Sequence, residues 1–154
     1  MAAPLLCLAA LVGTTQSAHA ATTAYEIASD HSTTCLVDTS GSVGLADGCP
    51  ADAGDENHAG LWYELNEGVD PSDRQTMYEL ENVHNSGSCL TGAADGGVYM
   101  ATCGTNHVQF WEFGADPGGG YQSVVNVHTN LPMGNPLADT FIGDIVWHFI
   151  STSV

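Results

Sequence analysis

The stretch that decides the fold is Tyr78 to Phe113, YELENVHNSGSCLTGAADGGVYMATCGTNHVQFWEF. It opens with an alternating run, Tyr78-Glu79-Leu80-Glu81-Asn82-Val83, whose apolar residues share one face. That is the period-two pattern of a half-buried strand. His84 to Ser88 is turn chemistry, and Cys89-Leu90 begins a second strand. Ala93-Ala94-Asp95-Gly96-Gly97 reads as a tight hairpin, because Asp-Gly tolerates the positive φ such turns need. Val98 to Cys103 is a third strand, broken by Gly104-Thr105-Asn106. Val108 to Phe113 is expected to be a fourth, with Gln109, Trp111 and Phe113 on one face.

The flanking chain repeats this plan. Tyr25-Glu26-Ile27 through His31 to Cys35-Leu36 parallels Tyr78-Glu79-Leu80 through His84 to Cys89-Leu90, one residue shorter. Cys35 and Cys49 are 14 positions apart, as are Cys89 and Cys103. Downstream, Val125-Asn126-Val127-His128-Thr129-Asn130 echoes Asn82-Val83-His84-Asn85. Each copy ends in a tryptophan: Trp62, Trp111 and Trp147. Three units that cannot each bury their own apolar face imply one closed body with pseudo-threefold symmetry. The third copy departs most. It has no cysteine, and His128 to Trp147 spans 19 positions against 27 from His84 to Trp111. Its Leu131 to Pro136 lacks a second-strand pattern, so this lobe is expected to be the most irregular.

The order of strand, Asn-x-x-Ser-Gly-x-Cys-Leu, hairpin, Cys and Gln-x-Trp resembles the ricin-type lectin domain, a β-trefoil. The resemblance covers nearly all of the chain after its first twenty residues. Gln-x-Trp is intact only at Gln109-Phe110-Trp111; the matching pairs are Gly60/Trp62 and Ile145/Trp147. The resemblance implies an all-β, β-trefoil domain over residues 21–154, with copies at about 22–74, 75–116 and 117–154. It also implies carbohydrate or glycoconjugate as partner. Lectins of this kind hold sugar with an Asp after the first cysteine, an aromatic platform, and polar groups near Gln-x-Trp. Transferred here, the Asp position is Thr91 in the second copy, while Asp38 follows Cys35 by three positions instead of two. Tyr99, Asn106 and Gln109 complete the second-copy candidate; Asp38 with Tyr63 is the first-copy candidate. The three tryptophans, and the Gln of the motif, are expected in the core.

Residues 1–20 read as a secretory signal peptide. An apolar run from Pro4 to Val12, too short to cross a bilayer, is followed by small residues and Ala18-His19-Ala20. Cys7 leaves with it. Of 154 residues, 134 remain, enough for one domain with a core. Four cysteines remain, Cys35, Cys49, Cys89 and Cys103, and in an exported chain they read as disulfides rather than metal ligands. Three pairings are possible; equal spacing favours Cys35–Cys49 and Cys89–Cys103.

Eighteen carboxylates face one cation, Arg74, and there is no lysine. Such a surface repels phosphate backbones and anionic membranes, so nucleic acid and lipid are excluded as partners. The acids around Asp52 to Asn57 and Glu64 to Asp73 match no EF-hand loop, so no metal is expected. His31, His84 and His128 occupy equivalent turns, which the repeat explains without a metal. With no G-x-S-x-G, no lysine nucleophile and no free thiol, neither an enzyme nor a cofactor is expected. The expected function is therefore a secreted, extracellular binding module. Its alternative is a trefoil that has lost sugar binding and holds a protein partner instead, such as an inhibitor.

Overall fold

A computed structural model describes residues 23–29, 34–47, 59–114, 121–133 and 147–152. The expected leader, Cys49, His31, the Asp52–Asn57 acids and most of the Gly114–Gly120 link lie outside the described residues. Eleven strands follow in order: β1 Ala24–Ser29, β2 Thr34–Asp38, β3 Val43–Asp47, β4 Leu61–Val69, β5 Thr76–Asn82, β6 Ser88–Gly92, β7 Val98–Thr102, β8 Phe110–Phe113, β9 Tyr121–Gln122, β10 Val124–Asn126 and β11 Trp147–Thr152. Among the described residues the one helical element is a 3-10 turn, His107–Gln109. No helix among them is long and apolar enough to cross a membrane.

The pairing order β10-β8-β5-β4-β1-β11-β9 runs through every strand except two hairpins. Only Ser123 separates β9 from β10, so the row closes into a barrel of six strands. Closure removes the exposed sheet edges that an open row would present. The hairpins β2–β3 and β6–β7 hang from β1 and β5 by single equivalent pairs, Ala28 opposite Cys35 and Glu81 opposite Cys89.

The register repeats with threefold symmetry. Trp62 lies opposite Asn82, Trp111 opposite Asn126, and Trp147 opposite Ser29. On their other side the tryptophans face Tyr25, Tyr78 and Gln122. All three indoles are buried together in one core with Ile27, Leu36, Leu80, Leu90, Val124 and Met133. A buried indole N–H needs an acceptor. Each finds the same one: Trp62 Nε1 donates to Leu36 O (3.0 Å), Trp111 to Leu90 O (3.0 Å) and Trp147 to Met133 O (3.2 Å).

Met133 thus fills the place that Leu36 and Leu90 fill in the other copies. Among the described residues, the third copy manages this with an isolated bridge, Val125 to Pro132. Its irregularity is as expected, and residues 134–146 lie outside the described residues. The Cys89–Cys103 disulfide forms, joining neighbouring strand ends of hairpin β6–β7. Cys35 is also disulfide-bonded, and Cys49 lies outside the described residues.

The expected fourth strand starts later than its sequence pattern. Val108 and Gln109 belong to the 3-10 turn, and β8 begins at Phe110. Asn106 causes this: its side chain caps Val108 N–H, and its carbonyl accepts from Gln109 N–H at 2.8 Å. Local side-chain capping of this kind competes with strand formation.

Candidate functional site

The second-copy candidates Thr91 and Tyr99 lie on hairpin β6–β7, one pair from its turn. Thr91 and Tyr99 are cross-strand partners. Thr91 is fully buried; its hydroxyl donates to Cys89 O and accepts from Gln109 Nε2 at 3.1 Å. Gln109, also buried, donates to Thr102 O at 3.0 Å as well. The Gln of Gln-x-Trp is therefore a strut between the 3-10 turn and both strands of the hairpin. Tyr99 is the opposite case, 46% exposed, one of the few large apolar side chains on the surface. Asn106, exposed, caps the turn that Gln109 ends. Thr91 and Gln109 thus form a buried, hydrogen-bonded support for the hairpin, and Tyr99 is its open ring.

The first-copy candidates are not brought together in this way. Asp38 is 5% exposed, and its carboxylate is used inside the fold. One oxygen accepts from Gly41 N–H at 2.7 Å, closing the β2–β3 turn; the other accepts from Asn85 Nδ2 at 3.1 Å, tying the first copy to the second. Tyr63 lies half-buried on β4, opposite Ala24 and Glu81.

A cavity of about 620 Å³ opens on the barrel axis, and sequence reasoning did not single it out. Six strands of the row contribute to its wall: Tyr25 from β1, Glu64 from β4, Tyr78 together with Thr76 from β5, Phe113 from β8, Gln122 from β9 and Phe149 from β11. The rings pack in an arc. Tyr78 stacks on Phe113 at 4.7 Å, Phe113 tilts against Phe149 at 4.6 Å, and Phe149 meets Tyr25 edge-on at 6.3 Å. Arg74 and Gln75, where the β4–β5 loop enters β5, complete the lining. Glu64 is the one acid in the wall. Burial alone pushes its carboxyl up to about 7. The Tyr25 phenol is raised too, by burial first and then by the Glu64 charge. The signal was in the repeats: Glu64, Phe113 and Phe149 each stand two residues after a core tryptophan.

Among the described residues, Asp70, Asp73 and Glu112 bring three carboxylates within 4.8 Å of one another, with Asp73 exposed. Glu79 lies equally close to Cys89 and Cys103, but those sulfurs are joined to each other. His84 and His128 are exposed, and the repeat uses their backbone: each donates its N–H, at 3.1 Å, to the asparagine two residues earlier.

Six barrel strands, hairpins hung at equivalent points and three equivalent indoles decide the architecture. The chain is a β-trefoil. Solved structures bear this out. A designed threefold-symmetric protein, ThreeFoil, superposes with a TM-score of 0.58 at 18% identity, over 82% of this chain and 97% of that one. The BEL β-trefoil, in an apo crystal form, gives 0.61 at 15% identity, over 84% and 92%. A GlcNAcα1-4Gal-releasing endo-β-galactosidase from Clostridium perfringens gives 0.54 at 15%, over 85% of this trefoil and 33% of that enzyme. No protein-family model and no curated protein sequence matches the chain.

Proposed function

We propose that this β-trefoil is a secreted carbohydrate-binding module without catalysis of its own, holding sugar at hairpin β6–β7 of the second copy. The observation that carries the reading is the exposed Tyr99 ring on a hairpin fixed by the Thr91–Gln109 hydrogen bond. A sugar's apolar face stacks on such a ring, and nearby polar groups orient its hydroxyls. Among the similar structures, the endo-β-galactosidase is a glycan-processing enzyme by name. Export is supported by the leader-like first twenty residues and by a disulfide, which persists in oxidising compartments.

The internal use of Thr91 and Asp38 favours a second reading, a trefoil that has lost sugar binding and docks a protein. A glycan array with the wild type and Tyr99→Ala separates the two. Sugar signal lost in the variant supports the module. An array blank at high protein concentration overturns it in favour of the protein partner.

A further inference from the structure

We propose that the axial cavity binds a small organic cation, a primary or alkylated ammonium ion, held between the Glu64 carboxylate and the faces of Tyr25, Tyr78, Phe113 and Phe149. This site is separate from hairpin β6–β7 and does not depend on the carbohydrate reading.

Three observations converge on it. The first is the wall itself: of the seven residues supplied by the barrel strands, four are aromatic, one is an amide, one a threonine and one an acid. Aromatic faces carry the negative end of the ring quadrupole, so they attract cations and gain little from anions. The second is Glu64. It shares the inward face of β4 with Trp62, where the other two copies place Phe113 and Phe149. A carboxylate in an apolar wall is costly unless something balances it. Burial raises its proton affinity, the sign of a carboxylate that lacks compensation for the water it has lost. Arg74, exposed at the rim, does not play that part. The third is the field of the whole molecule. A formal charge of −17 draws cations toward every opening and repels anions. A neutral sugar would use the rings and Gln122 but would leave Glu64 without a counter-charge.

The ligand's positive charge takes the place of the proton that burial otherwise favours on Glu64. Cation and proton therefore compete for the same carboxylate. The groups facing Glu64 are Tyr25 from β1, Tyr78 from β5 and Arg74 from the loop. Phenols and guanidinium do not titrate near neutrality, which leaves the competition to Glu64.

The test is a titration of the intact protein with choline chloride, followed by NMR of the aromatic protons, with sodium chloride at equal ionic strength as reference. Expected is a saturable shift of the Tyr25, Tyr78, Phe113 and Phe149 signals, absent with sodium. Affinity should fall roughly tenfold in Glu64→Gln, since one close charge pair is lost. Phe113→Leu, which keeps Glu64, should weaken binding by a smaller factor. Acidifying the wild type from about pH 8 to about pH 5.5 should weaken it as well, a readout that needs no variant. No saturable shift, equal affinity in Glu64→Gln, or binding indifferent to pH would each overturn the proposal. Methyl β-glucoside shifting the same signals while choline does not would assign the cavity to neutral saccharides instead.

Discussion

Gly92 gives Asn126 its room: a Cβ on Gly92 would stand 2.7 Å from the Asn126 amide nitrogen and 2.8 Å from its Cγ. Asn126 cannot step aside. It is 2% exposed, and its amide donates to Val108 O (2.8 Å) and Phe110 O (3.4 Å). Its oxygen accepts from the N–H groups of His128 and Thr129, both at 3.1 Å. Gly92→Ala should therefore cost about 2 kcal/mol by overpacking a bonded neighbour. Urea unfolding checks this. Combined with Asn126→Ala, the two losses should add to less than their sum, because the second change removes what the first collides with.

Asn82 makes the same clamp one copy earlier. Its amide donates to Ala59 O and Leu61 O, and its oxygen accepts from His84 and Asn85 N–H. Each asparagine thus pins the turn after its own strand to the end of the preceding copy. Truncation to alanine leaves two N–H groups of each turn without their acceptor, while Ala59 O and Leu61 O keep the N–H groups of Asp38 and Val83, and Phe110 O keeps that of Val127. Asn82→Ala and Asn126→Ala should each lose about 2–3 kcal/mol, by similar amounts. If one were near neutral while the other unfolded the protein, the two clamps would not be energetic equivalents.

What the sequence disclosed and what it hid follow one division. Features written in local chemistry were legible: the Asp95-Gly96 hairpin, with Gly96 at φ 85, the matched cysteine spacing and the three inward tryptophans. Features set by assembly were not. Nothing local marks Met133 as the acceptor for the Trp147 indole, because it follows a proline and lacks the Cys-Leu signature of its counterparts. Gln109 alternates correctly for a strand, yet Asn106 caps it into a turn. Glu64 is the instructive case. Alternation along Leu61-Trp62-Tyr63-Glu64 puts the acid on Trp62's buried face, a breach of the binary pattern visible in the sequence. Its meaning appears only when the barrel closes and Phe113 and Phe149 come round beside it. Of the site candidates, Tyr99 and Asn106 keep exposed side chains, while the partners of Thr91, Gln109 and Asp38 depended on contacts across the fold.

The Cys89–Cys103 bridge closes a loop of 14 positions that contains hairpin β6–β7 apart from Ser88. In the chain-entropy account such a loop contributes about 3 kcal/mol, through restriction of the unfolded chain. The Cys89→Ala/Cys103→Ala protein should lose about that much in urea unfolding. Because Leu90 is anchored independently, by Trp111 Nε1 at its carbonyl, the hairpin should keep its place in the folded variant. Near-ultraviolet circular dichroism of Trp111 checks the second half. A lost tryptophan signal under folding conditions would mean that the bridge shapes the native state as well.

Acid should stabilise this protein over a range where most proteins are indifferent. Burial raises the Glu64 and Glu79 carboxyls from the ordinary 4.5 to about 7, although for Glu79 a Gly104 N–H at 3.2 Å pulls the other way. A group whose folded value is raised binds its proton more tightly when folded. Its full contribution is present below about pH 4.5 and is lost as the pH climbs through about 7. Glu64 is half-buried and Glu79 is 6% exposed, and about 1–2 kcal/mol each is a fair magnitude after screening. Stability should therefore rise on going from about pH 8 to about pH 5. Relief of the −17 net charge acts in the same direction, so the profile must be taken in high salt, where that repulsion is screened. Glu64→Gln/Glu79→Gln should then flatten it. A wild-type profile that stays level in high salt, or one that the double variant leaves unchanged, would show that these two carboxyls do not govern it.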